Sequence, residues 1–126
     1  MANILVIEDD GDLRTLMREF LRAAGHQVRT AADGAQGFEL QRSAPADLVI
    51  TDLFMPDKDG IETIRDFTRD YPEVKIIAMS GGGRQLSDSP YLSTASEIGA
   101  TGLLRKPFTE QTLLAAVNSA LRLPAR

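Results

Sequence analysis

Leu48-Val49-Ile50-Thr51 is a run of four β-forming residues with no polar alternation, and it ends on a carboxylate, Asp52. An uninterrupted apolar strand has to be covered on both faces, which puts it in the middle of a parallel sheet with helices above and below. Asp52 then stands where the strand leaves the sheet. In an open parallel sheet, ligands bind in the crevice beyond the carboxyl ends of the strands, so a carboxylate at that point is a site candidate. Helix capping is the other common use of an Asp after a strand. The next helix cannot begin until after Pro56 and the Asp59-Gly60 turn, so Asp59 fits that cap and Asp52 comes too early for it.

The same pattern recurs along the chain. Ile4-Leu5-Val6-Ile7 is a second fully apolar run and delivers Glu8-Asp9-Asp10 to a loop. Leu13, Leu16, Met17, Phe20, Leu21 and Ala24 follow at helical spacing, and Gly25 stops the helix. Gln27-Val28-Arg29-Thr30 alternates as an edge strand does. Asp33-Gly34 opens a weaker helix through Phe38 and Leu40. Ile61, Ile64, Phe67 and Tyr71 mark a third helix that Pro72 ends, and Val74 to Met79 is a fourth strand running into Ser80-Gly81-Gly82-Gly83. Ser89-Pro90 reads as the start of a short helix closed by Gly99. Gly102 to Arg105 is a short fifth strand, and Thr109 caps a last helix with the stripe Leu113, Leu114, Val117 and Leu121.

Strands alternating with helices five times predict an α/β fold, a five-stranded parallel sheet doubly wound with helices on both faces. The most apolar strands belong in the centre, which favours the strand order 2-1-3-4-5 and a reversal of winding between the first and third strands. At 126 residues and 43% hydrophobic content, residues 1–126 are expected to form one domain.

In such a sheet every strand presents its carboxyl end on one rim, so Glu8, Asp9, Asp52, Ser80 and Lys106 are expected to meet there. Several carboxylates that close favour a cation between them. The absence of Cys and the distance of the single histidine, His26, from the rim leave only oxygen donors, which argues for magnesium. Lys106 as a compact cation and Ser80 as a hydroxyl donor complete a cradle for a phosphoryl group, with Asp52 as the nucleophile that would form an acyl phosphate. Gly81-Gly82-Gly83 matches neither glycine-rich nucleotide fingerprint and reads as a hinge.

Composition narrows the partners. A net charge of -4 and a pI near 4.9 without a basic run argue against direct nucleic-acid binding. The start Met1-Ala2-Asn3-Ile4 lacks the basic region of a signal peptide, and no apolar run is long enough to cross a membrane. A cytoplasmic location is therefore expected.

Taken in order, Ile4-Leu5-Val6-Ile7-Glu8-Asp9-Asp10, Asp52-Leu53-Phe54-Met55-Pro56 with Asp59-Gly60, Ser80-Gly81, and Gly99-Ala100 leading to Lys106-Pro107-Phe108 resemble a response regulator receiver domain of two-component signalling. The match runs from end to end. By that resemblance the fold is flavodoxin-like, and Asp52 accepts a phosphoryl group from a sensor histidine kinase or phosphotransfer protein and thereby switches a surface for a downstream protein target. Glu8 and Asp9 form the acid pair, Phe54 lends its backbone carbonyl to the magnesium, and the Lys106–Pro107 peptide is cis. The chain would be a stand-alone receiver. Leu103 stands where many members of the family carry an aromatic residue. With Phe54 and Gly82 two residues after Asp52 and Ser80, no side chain there can orient water, so slow loss of the phosphoryl group is expected. Two other readings, a degenerate receiver scaffold and a small Asp-nucleophile phosphatase, fit less well. The acids and Lys106 are all present, and a phosphatase would want an acid where Phe54 stands.

Overall fold

The computed structural model describes residues 1–53, 60–80 and 99–123. The expected cap at Asp59, the glycine hinge, the Ser89-Pro90 helix start and the positions of Phe54 and Gly82 lie outside the described residues. Within them run β1 (Asn3–Ile7), α1 (Gly11–Ala23), β2 (Gln27–Ala31), α2 (Gly34–Ser43), β3 (Leu48–Asp52), α3 (Gly60–Asp70), β4 (Lys75–Ser80), β5 (Gly102–Arg105) and α4 (Glu110–Arg122). All four strand pairings are parallel and the order is β2-β1-β3-β4-β5, as the apolar ranking of the strands requires.

The continuous apolar runs resolve into two faces because side chains alternate along a strand. Ile4, Val6, Leu48, Ile50, Ile77 and Met79 pack with Met17 and Leu21 of α1 and with Leu113 and Val117 of α4. Leu5, Ile7, Val49, Ile76 and Ala78 pack on the opposite side with Ile64 and Phe67 of α3. There Phe38, Phe67 and Tyr71 meet edge to face or tilted, with ring centroids 5.3 to 6.0 Å apart, and tie α2 to α3.

Helix boundaries follow local chemistry. Asp10 accepts from the backbone N–H of Asp12 and Leu13, Asp33 from Gln36, and Thr109 from Thr112, each satisfying donors that the helix start leaves open. Gly25 takes a positive φ of 96° just past α1, a conformation open to glycine. Two residues of the expected α1 stripe are exposed, Leu16 and the C-terminal Ala24 that caps the helix. Leu16 is 47% exposed, because it sits about 100° around α1 from Met17, at the edge of the buried stripe. Ser80, expected on the loop, is instead the last residue of β4, paired with Arg105 of β5 and fully buried. No helix among the described residues is long and apolar enough to cross a membrane.

Candidate functional site

Four neighbouring strands each bring a polar group to the same rim. Glu8 and Asp9 follow β1, Asp52 closes β3, Ser80 closes β4, and Lys106 follows β5 just before a cis peptide to Pro107. Glu8, Asp52 and Ser80 are 1%, 4% and 0% exposed, whereas Asp9 faces solvent. Carboxylate oxygens of Glu8, Asp9 and Asp52 all lie within 4.8 Å of one another. The Lys106 ammonium stands between two of them, donating to Asp52 Oδ2 at 2.6 Å and pairing with Glu8 Oε1 at 2.8 Å. Glu8, Asp9, Asp52 and Lys106 are therefore in one cluster, and Ser80 ends β4, the strand between β3 and β5. Phe54 lies outside the described residues.

The backbone supports this convergence. Glu8 N–H still donates to Ala31 of β2 at 3.0 Å, and Asp10 N–H donates to Glu8 Oε2 at 3.0 Å. Lys106 N–H bonds the Ser80 carbonyl at 2.6 Å, which locks the start of the β5 exit against the end of β4. Asp10, the third acid of the loop, is spent on capping α1. His26, far from this rim, accepts from the Ala2 N–H at 3.1 Å and is half-buried.

Burial governs the electrostatics. Desolvation pushes Glu8 up to about 7, with the nearby Asp52 charge adding to it, against the lowering effect of Lys106 and the Asp10 N–H. Burial pulls the Lys106 ammonium down, but its bonds to Asp52 and Glu8 outweigh that and hold it above its ordinary value. At this rim the buried Ser80 hydroxyl has no hydrogen-bond partner among the described residues, while Glu8 Oε1 is held by the Lys106 ammonium. A buried hydroxyl without a partner is rare in a folded protein. An all-oxygen donor set of three converging carboxylates, two of them buried, fits a hard divalent cation at Glu8, Asp9 and Asp52, and does not suit zinc.

The Glu8 shift has a measurable consequence. Its native value lies above the ordinary 4.5, so the native state holds that proton more tightly than the unfolded chain does. The stabilisation is complete below about pH 4.5 and is lost as pH rises through about 7. In the presence of a chelator, urea unfolding should show a fall of about 3 kcal/mol across that window that Glu8→Gln lacks. Parallel pH profiles for the two proteins would place the titrating group elsewhere.

The sequence reading missed Arg14. It lies one turn into α1, half-buried, and its Nη1 donates to the Glu8 carbonyl at 2.7 Å. A usable signal was present: a cation in the first helical turn opposes the helix dipole and wants a reason.

Comparison with known proteins decides the family. The model of the response regulator receiver domain matches residues 4–118. The chain belongs to that family.

This receiver domain is 34% identical over 120 residues to the DNA-binding transcriptional regulator NtrC of Azospirillum brasilense, covering 95% of the chain and 24% of that protein. It is 34% identical over 122 residues to protein CcdB of Bacillus subtilis, covering 96% of the chain and 98% of that protein. Among solved structures, a response regulator receiver domain protein from Clostridium thermocellum superposes with a TM-score of 0.84 at 32% identity, over 96% of this chain and 94% of the other. The chain spans between 24% and 50% of the length of the first curated relatives it matches. Receiver domains are signalling modules of two-component systems, and the chain shares their fold and strand order.

Proposed function

We propose that this receiver domain is a phosphoacceptor switch, phosphorylated on Asp52 by a histidine kinase or a phosphotransfer protein in a magnesium-dependent reaction. The observation that carries the reading is the placement of the Asp52 carboxylate, with the Lys106 ammonium 2.6 Å away and two further acids within 4.8 Å. A carboxylate oxygen of Asp52 attacks phosphorus, the bond from phosphorus to the donor breaks, and the donor leaves with its electron pair. The product is an acyl phosphate. Glu8, Asp9 and Asp52 would hold the cation, together with the Phe54 carbonyl that the family resemblance implies. Bound there, magnesium would supply charge neutralisation for the phosphoryl oxygens.

Lys106 supplies a second, permanent positive charge, and it has to leave Glu8 or share it when a phosphoryl oxygen arrives. Ser80 brings a buried hydroxyl with no hydrogen-bond partner among the described residues, a donor ready for such an oxygen. The two cations and the hydroxyl act mainly through position, since phosphoryl transfer asks little covalent chemistry of the protein. A downstream protein would read the change at a surface coupled to this rim.

The decisive test is intact mass after incubation with acetyl phosphate and magnesium. One phosphoryl adduct is expected on the parent chain and none on Asp52→Ala or in excess chelator. An unmodified parent would favour a scaffold role. A donor consumed with no adduct retained would favour hydrolysis.

A further inference from the structure

We propose that Arg14 is a positioning residue for the acid cluster, holding the peptide plane between Glu8 and Asp9 so that both carboxylates face Asp52. The inference rests on the reading that Glu8, Asp9 and Asp52 take up a divalent cation. Arg14 is in the first turn of α1, where the N-terminal end of the helix is already positive and favours acids such as its neighbour Asp12. A cation kept in that place needs a compensating bond. The Nη1 donor supplies one, reaching the Glu8 carbonyl at 2.7 Å as a charge-assisted hydrogen bond.

The carbonyl that Arg14 holds belongs to the peptide unit joining the two loop acids. On one side of that unit the chain is fixed by the Glu8 N–H bond to Ala31. On the other side Asp10 fixes it again, through its N–H to Glu8 Oε2 and its carboxylate on α1. Between these anchors Asp9 is exposed, so the direction of its carboxylate follows the rotation of the Glu8–Asp9 peptide plane. The guanidinium pins that rotation from outside the loop. It does so without touching the cation, which makes it a supporting group behind the ligands.

Charge and position predict opposite results when Arg14 is removed, and this makes the inference testable. A positive group beside a cation site repels the cation, so by charge alone Arg14→Met should bind magnesium more tightly. If the guanidinium positions the acids, the same variant binds more weakly, by about tenfold on the scale of supporting groups at metal sites. Methionine keeps most of the apolar stem, so packing along α1 is preserved. The experiment is calorimetric titration of the whole chain with magnesium chloride, for the parent, Arg14→Met, Arg14→Lys and, as a control, Asp9→Asn.

Arg14→Met should show about a tenfold higher Kd. Arg14→Lys keeps the charge but offers a single donor at shorter reach, and should fall between it and the parent. Thermal melts in chelator separate a purely structural role, which would lower the melting temperature of Arg14→Met and leave Kd unchanged. Equal or tighter binding in Arg14→Met overturns the inference. If that variant does not fold, Arg14→Lys decides: it should bind at least about twofold more weakly than the parent, and parent-like affinity overturns the inference. A folded parent that binds no magnesium overturns the cation reading itself, and this inference with it.

Discussion

Gly60→Ala is expected to destabilise the protein by about 3 kcal/mol and to slow phosphorylation of Asp52, although helix propensity alone would favour alanine by about 1 kcal/mol. Gly60 opens α3, and its N–H bonds the Leu53 carbonyl at 3.0 Å. A Cβ at this position would come under 3.0 Å from the Asp52 carbonyl oxygen and from the Leu53 Cα. Those atoms are backbone, so no rotamer change relieves the overlap. Either α3 moves off the sheet or the end of β3 shifts, and the end of β3 carries the acceptor. The steric term therefore outweighs propensity. Chemical denaturation gives the stability, and the rate of adduct formation with acetyl phosphate gives the effect on the site. A stable, fully active Gly60→Ala would mean that α3 packs less tightly on β3 than these distances indicate.

Lys106→Met should cut the rate of phosphoryl transfer to Asp52 by roughly two to three orders of magnitude while tightening magnesium binding roughly tenfold. The opposed signs come from the same atom. Lys106 Nζ lies 2.6 Å from Asp52 Oδ2 and 2.8 Å from Glu8 Oε1, so it competes with a divalent cation for both carboxylates. During transfer, however, it is the charge placed to receive a phosphoryl oxygen. Without it the metal-free protein should also lose stability at neutral pH, because the buried Glu8 and Asp52 lose the Lys106 charge that balances them. Binding and transfer have to be measured on the same preparation, the first by titration and the second by mass. Loss of both together would indicate that Lys106 organises the whole rim rather than balancing two demands on it.

Much of this was legible in the residues themselves. The two apolar runs ending in Glu8-Asp9 and Asp52 imply central strands, and the alternating Gln27 to Thr30 an edge strand, because coverage by helices leaves no other use for four apolar residues in a row. The cluster follows from that, since parallel strands share a rim. The cis Lys106–Pro107 peptide that the family resemblance implied is also present. Arg14 and Gly60 were not legible in the same way. The bond from Arg14 to the Glu8 carbonyl depends on the path of a long side chain back over the loop, and the closeness of Gly60 to Asp52 on how α3 settles against β3. Neither leaves a period in the sequence. Leu16 shows the limit of the helical pattern, which ranks residues around a stripe but does not draw its edge.

The sheet order also sets how long each side chain at the rim has to be. Adjacent strands lie about 4.8 Å apart, so β5 stands roughly 10 Å from the acceptor strand, with β4 between them. A short Asp suffices on β3, and a hydroxyl on β4 needs little reach. Lys106 has to cross the width of two ladder steps to put its charge on Asp52, and its four-carbon stem is what spans that gap. The sheet thus works as a ruler, and a shorter cation at position 106 would leave its charge stranded over Ser80.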